Sequence, residues 1–483
     1  MTYPHFAPEL LRVLAESHGE TSAIRSHATG EVLSYREYFE AVRTGVVQLE
    51  DAGLVAGDRV LIVASRICGF PISLLSCWAA GLVPVLSDGA LPASRLAFIQ
   101  RDAFAKARLD VKDGQLVLFE AAESDRGHDS SEGPGHVLYT SGTTGLPAGV
   151  LVPMSALRNA LNWYQEAVAP NSNDRVALLS GLGHDPVLRD ILVPLICQGE
   201  LAIPAEAVTS DPRSVRQFLT ESRVTILHTT PSMIEFVGGT DQSSFPDTDL
   251  RIVLLGGESP TEDSVRALST AAIPQVFNVY GSTETPQIVS ATGLGRADSP
   301  NLATIGNGVA GAELFLGREL PEAFSTRHDC APDEVVVRSR HLAAGYIGHA
   351  AQQSGFVADP FEAEGWRAYF TGDIGERTSE GDIRLVARRD RELNVNGHRL
   401  NPAEVELCAS RIPGVAKSHC GGKVTNLGLQ VTLTIVLDNS PEAEALRTRD
   451  VRAALRNELP AWAVPSRVEI SDLPALTVNH KRA

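Results

Sequence analysis

Short apolar runs alternate with helix-patterned segments along most of this chain, and that alternation limits the fold more than any other feature. Arg59 to Val63 has the pattern of a buried strand, Leu74 to Ala80 that of a helix, and Leu82 to Leu86 that of the next strand. A helix from Val215 to Thr220, a strand from Val224 to Leu227 and a strand from Ile252 to Leu255 repeat the order, the last running into Gly256 and Gly257. Strands separated by helices in this way pair in parallel and are covered on both faces. After Leu255 a helix start is marked by Ser259 as N-cap, Pro260 in the first helical position and Glu262 closing a capping box. The expected fold class is α/β.

At 483 residues the chain exceeds the roughly 250–300 residues over which one core grows, so two or more domains follow. The pattern changes after Asp390. Leu429 to Leu437 alternates strictly, with Gln430, Thr432 and Thr434 on the polar side, as in a sheet with one solvated face. A charged helix is expected from Pro441 to Glu458. The division is therefore a large N-terminal α/β domain, 1–388, and a smaller C-terminal α+β domain, 389–483. The polar segment Glu123 to Gly135 is expected as an exposed loop.

A formal net charge of −17 argues against a nucleic-acid partner, because phosphate backbones need basic patches. The six cysteines (Cys68, Cys77, Cys197, Cys330, Cys408 and Cys420) show no metal-ligand spacing and are expected as buried thiols in a reducing compartment. No stretch reaches the ~20 apolar residues of a membrane helix, and no basic region followed by an apolar run opens the chain. These features point to a cytoplasmic protein with no membrane partner.

The strongest local signal is Tyr139-Thr-Ser-Gly-Thr-Thr-Gly-Leu-Pro-Ala-Gly149. Its glycines and hydroxyl residues offer backbone N–H and side-chain O–H donors that can wrap phosphate oxygens. It is not a Walker A loop, since no Gly-Lys-Ser/Thr follows. A flexible surface linker is the alternative.

The loop resembles the phosphate loop of the adenylate-forming superfamily, which includes acyl-CoA synthetases, luciferases and peptide-synthetase adenylation domains. Four later stretches resemble that family's motifs in the same order. Asn278-Val-Tyr-Gly-Ser-Thr-Glu-Thr285 resembles the adenine-and-metal motif, and Tyr369-Phe-Thr-Gly-Asp373 the ribose motif. Arg388-Arg-Asp-Arg-Glu-Leu-Asn-Val-Asn-Gly-His-Arg399 resembles the hinge, and Thr477-Val-Asn-His-Lys481 the C-terminal lysine motif. The resemblance implies ATP as co-substrate with Mg²⁺, bound by Thr140, Ser141, Gly142, Thr143, Thr144, Gly145, Gly257, Asn278, Tyr280, Gly281, Ser282, Asp373 and Arg388.

Each residue type suits its part. Tyr280, after a strand from Val276 to Val279, can stack on a purine. Glu284 can hold Mg²⁺ bridging phosphates, or it is a helix-start carboxylate. Asp373, after a glycine in a turn, can accept both ribose hydroxyls, or it is an ordinary turn residue. Arg388 can reach the ribose, or it is a surface arginine. Lys481 and Thr283 complete the implied catalytic set with Glu284. A lysine three residues from the end of the chain is otherwise a solvated side chain. The chain departs from the family at Ala148 and Phe370, where lysine and arginine are usual, and at Val478 and His480. The lost lysine at Ala148 removes a phosphate contact of about 1–3 kcal/mol.

The implied chemistry is attack of a substrate carboxylate on the α-phosphorus of ATP, with departure of pyrophosphate. Catalysis is then positioning and charge stabilisation. The resemblance also implies that the small domain turns about Asp390 and admits a thiol, with Gly397 bordering a pantetheine tunnel. An attached carrier domain is not expected, and the thiol is expected from a separate carrier protein with phosphopantetheine, or from CoA.

His184-Asp-Pro-Val-Leu-Arg-Asp190 resembles the substrate motif of amino-acid-activating domains, with Asp185 at the α-ammonium position. A buried carboxylate needs a cationic partner, which a substrate ammonium supplies. A surface Asp-Pro turn is the alternative. The implied pocket is His184, Pro186, Arg189, Ser232, Leu254, Gly256, Val279, Gln287 and Ile288. Asp185-Pro186 with Arg189 is similar to the aminoadipate-reductase branch, and Arg189 can pair bidentately with a second carboxylate, which suggests an acidic or polar amino acid. Otherwise it pairs with Asp190 or another protein carboxylate. Rival functions are an acyl- or aryl-CoA ligase, an amide- or ester-forming homologue, and a non-catalytic nucleotide-binding module.

Overall fold

The computed structural model describes residues 19–119, 135–141, 146–238, 248–271, 273–294, 304–328, 330–351, 355–389, 392–425, 428–438 and 440–470. Asp390, Gly142–Gly145, the Thr477–Lys481 motif and nearly all of the Glu123–Gly135 segment lie outside them. The described chain forms two compact units of mixed α/β structure. The first takes in residues up to Gly89, Asp102 to Tyr139, and Gly149 to Arg389; the second takes in Ala90 to Arg101, Thr140 to Ala148, and those after Asp390.

Two large sheets follow from the alternating pattern. Arg59–Ala64 is buried at every position and pairs in parallel with Val83–Asp88 and Ala107–Asp110. An apolar strand buried on both faces has no solvated side to give, so truncating Leu61 to Ala costs about 2–5 kcal/mol. In the second sheet Arg175–Ala177, Ile226–Thr229, Ile252–Leu255 and Gln275–Tyr280 run parallel in that order, and Ser290–Gly293 closes the edge antiparallel. The strand expected at Val224 starts at Ile226, and the one expected at Leu82 starts at Val83.

A third sheet was not expected from the alternation. Thr304–Gly306, Ile383–Arg388, Arg367–Arg377, Glu334–Ser339 and Ala312–Leu316 pair antiparallel, with no helix between most of them. Asp373 therefore sits in a strand, not a turn. Gly372, at φ +74°, lets that strand bulge, and the register shifts just beyond at Ile374 and Gly375.

Two helix expectations are corrected. The cap before Glu262–Thr270 is Thr261, not Ser259. Thr261 Oγ1 accepts from the Ser264 N–H and Ser264 Oγ from the Thr261 N–H, both at 3.1 Å, so the reciprocal pair forms two residues further on. Pro441–Glu458 is not one helix but Pro441–Ala445 and Thr448–Arg456. Leu446 is extended between them and packs on the core of the second unit, and Asp450 caps the new start through the Arg447 N–H at 3.2 Å. That core receives Val431, Leu433 and Ile435 from the strand Gly428–Leu437, as the alternation expects. Of the cysteines, Cys68, Cys77 and Cys420 are buried; Cys197, Cys330 and Cys408 are only partly so.

Candidate active site

Tyr280 and Ser290 are paired across neighbouring strands, and residues 281–289 leave the sheet between them. Gly281 allows that loop to fold on itself, because a Cβ there would stand 2.9 Å from the Gln287 carbonyl oxygen. The Ser282 N–H donates to Thr285 Oγ1 at 2.9 Å and the Thr285 N–H to Ser282 O at 3.1 Å. Thr283 and Glu284 lie inside this turn, Thr283 half-buried and Glu284 buried.

Glu284 is held on one side only. Its Oε1 accepts from Tyr346 Oη at 3.1 Å, while Oε2 is buried with no hydrogen-bond partner among the described residues. An orphaned buried carboxylate oxygen calls for a cation. Mg²⁺ fits this donor, since it commonly takes one or two carboxylates plus substrate phosphates. No group of three His, Cys, Asp or Glu side chains able to hold a metal ion occurs among the described residues.

A second cluster joins Tyr280, Asp373 and Arg388. Asp373 and Arg388 are register partners on adjacent strands, and Arg388 Nη1 donates to Asp373 Oδ1 at 2.7 Å. Tyr280 Oη donates to Asp373 Oδ2 at 2.5 Å. Arg388 is thus an ion-pair partner of the carboxylate, not a surface arginine. Asn278 is buried and donates to Thr304 O at 2.8 Å, which fixes the strand that carries Tyr280.

The third cluster surrounds Asp185. Pro186, in the first helical position, starts the helix Pro186–Cys197, and His184 precedes it in a turn closed on Gly181 O at 3.0 Å. Asp185 is 8% exposed, so it is no surface turn. Gln287, at φ +67°, places its N–H on Asp185 Oδ2 at 2.5 Å and its Nε2 on Oδ1 at 2.7 Å. No lysine or arginine nitrogen comes within 4.0 Å of Asp185 among the described residues. Among the described residues the nearest titratable nitrogen is His136 Nε2, at 4.0 Å. Burial pushes the His136 pKa down to about 3, so the imidazole is neutral. Burial pushes the Asp185 carboxyl up to about 6, against the pull of the Arg189 charge and the Gln287 donors.

Arg189 lies one helical turn on and is 5% exposed. Its Nη1 donates to Gln287 O at 2.9 Å and reaches Gln287 Oε1 at 3.4 Å; its Nε has no partner among the described residues. It does not pair with Asp190. That carboxylate takes His228 Nδ1 at 2.7 Å and the Ser180 N–H at 3.0 Å, and His228 Nε2 meets Tyr164 Oη at 2.8 Å.

Leu254, Val279 and Ile288 are buried in one apolar cluster with Val187 and Leu188 of the Asp185 helix. Gly256 lies against Val279 and is followed by Gly257. Ser232 is engaged elsewhere: its Oγ meets Thr230 Oγ1 at 3.0 Å and its N–H donates to Glu258 Oε2 at 3.2 Å. Thr140 ends the strand His136–Ser141 with Ser141, Gly142–Gly145 lie outside the described residues, and Pro147–Val152 forms the next strand. Ala148 is 1% exposed. The sequence reading missed His136, whose one signal was a histidine opening an otherwise apolar strand. It also missed Tyr346, which no motif marked.

The AMP-binding enzyme model matches residues 11–347. The chain belongs to that family. This AMP-binding enzyme is an adenylate-forming ligase. It is 26% identical to one of the plipastatin synthase subunits of Bacillus subtilis over 93% of its own length, and spans 13% of that protein. Its fold matches NpsA-ThdA, an artificially fused adenylation–PCP di-domain from Klebsiella oxytoca, with TM-score 0.79 and 18% identity, covering 96% of this chain and 93% of that one. It also matches the o-succinylbenzoate CoA synthetase MenE of Bacillus subtilis, with TM-score 0.76 and 19% identity, covering 96% and 95%. Among the described residues no helix is long and apolar enough to cross a membrane.

Proposed function

We propose that this enzyme activates an amino acid with an acidic or polar side chain as its aminoacyl-adenylate, then passes it to the phosphopantetheine thiol of a carrier protein. The observation that carries the reading is Asp185, a buried carboxylate with hydrogen bonds but, among the described residues, no lysine or arginine contact. A substrate ammonium would supply the missing cation. Arg189, equally buried and with Nε unpartnered, supports a second acceptor on the substrate side chain.

In the first half-reaction a carboxylate oxygen of the substrate bonds to the α-phosphorus of ATP, and the bond to the bridging oxygen of pyrophosphate breaks. Asp185 holds the ammonium and orients the carboxylate. Asp373, with Tyr280 and Arg388, holds the ribose. Thr140 to Gly145 bind the phosphates and Thr283 the α-phosphate. Glu284 would hold Mg²⁺, which supplies charge neutralisation for the leaving pyrophosphate. Lys481 bridges carboxylate and phosphate oxygens. The thiol step rests on resemblance: the domain from 389 turns about Asp390 with Gly397 beside the pantetheine.

The test is ATP–pyrophosphate exchange across a panel of amino acids. Exchange that depends on an acidic or amide amino acid, and is lost in Asp185→Ala, bears the reading out. Unchanged exchange in Asp185→Ala favours a CoA ligase acting on a simple acid, the reading for which the fold shared with MenE is the support.

A further inference from the structure

Asp185 and Arg189 stand four residues apart at the start of one helix, the spacing at which opposite charges on a helix face each other. Both are buried, where such a pair is drawn together most strongly. They nevertheless form no ion pair. Gln287 meets each of them instead. It gives Asp185 its N–H at 2.5 Å and its Nε2–H at 2.7 Å. It gives Arg189 its carbonyl oxygen at 2.9 Å and its Oε1 at 3.4 Å. A third contact, Nε2–H to the Asp185 backbone oxygen at 3.0 Å, fixes the amide. The donors of one residue thus face the anion and its acceptors face the cation.

Resting on the amino-acid reading, we propose that Gln287 is a positioning residue that holds Asp185 and Arg189 apart, so that each charge is left for a group on the substrate. A closed Asp185–Arg189 pair would satisfy both side chains internally and leave the pocket nothing with which to attract a zwitterion. The left-handed backbone at Gln287 brings its N–H and C=O to the two side chains at once. Its side-chain amide adds a donor toward Asp185 and an acceptor toward Arg189 without adding a charge. The groups that face Asp185 are Gln287, the neutral imidazole of His136, Arg189 and, at longer range, the Glu284 carboxylate.

The experiment measures amino-acid-dependent pyrophosphate exchange for wild type, Gln287→Leu, Gln287→Glu and Asp185→Ala, with kcat and KM separated and pH varied. Gln287→Leu should raise the amino-acid KM by about tenfold or more, with kcat and the ATP KM little changed. Its acidic limb should fall below that of wild type, because Arg189 then closes on Asp185 and keeps it ionised. Gln287→Glu, nearly isosteric, should capture Arg189 and erase any preference for acidic over amide side chains. A folded Gln287→Leu with unchanged KM and acidic limb overturns the proposal. If that variant does not fold, an unchanged preference in Gln287→Glu overturns it. Loss of exchange in Asp185→Ala beside an indifferent Gln287 defeats the separator alone. Persistence of exchange in Asp185→Ala defeats the amino-acid reading beneath it.

Discussion

Two acidic sites of the first unit, Asp373 and Asp185, are built in opposite ways. Asp373 is met by an arginine guanidinium at 2.7 Å and a tyrosine hydroxyl at 2.5 Å, both from the protein. Asp185 is equally buried, yet receives only the amide donors of Gln287 and is raised to about 6. The first carboxylate is charge-balanced before any ligand arrives; the second is not. A balanced site needs only to present a fixed shape to an invariant group such as a ribose. An unbalanced one takes its counter-charge from the substrate, and so discriminates among acids.

The largest effect expected is at Asp185 itself. Asp185→Ala should lower kcat/KM for the amino acid by about 10²–10³ while leaving the ATP KM nearly unchanged, measured by exchange kinetics. Asp373→Asn should do the reverse, raising the ATP KM by about tenfold with little change in the amino-acid KM. If both variants raise both constants equally, the two carboxylates are not separate sites.

pH sharpens the contrast. Burial lifts Asp185 to about 6, so its carboxylate is ionised above that pH and neutral below it. The attraction for an ammonium is present above pH 6 and is lost as pH falls through it. The amino-acid KM should therefore rise about tenfold per unit below that point, and Asp185→Asn should lack the limb. Smaller again is Arg189→Leu, which should flatten the preference for acidic side chains by about tenfold in kcat/KM without abolishing exchange. Asp190→Ala touches neither site directly. It strands the buried His228 ring and the Ser180 N–H and should cost about 1–3 kcal/mol in urea unfolding.

What the sequence disclosed divides along the same line. The parallel sheets were legible because strands such as Ile252–Leu255 are apolar at every position and follow helices. The antiparallel third sheet was not, since strands like Arg367–Arg377 mix buried and half-exposed residues without a helix to separate them. Thr261 displaced Ser259 as a cap because hydroxyl residues are good caps at both places and only the Ser264 pairing decides between them. Asp373, Glu284 and Tyr280 stood within ordered motifs and could be named. The link between Asp185, His136 and Gln287 could not be derived, because it joins segments about 50 to 150 residues apart that carry no shared pattern.

The central claim is that Asp185 meets an ammonium. Pyrophosphate exchange with glutamate and with glutarate, the same dicarboxylate without its amino group, tests it most directly. Exchange with glutamate, or with another amino acid of its class, is expected, with background exchange for the amine-free analogue. Equal exchange with the two members of such a pair would contradict it.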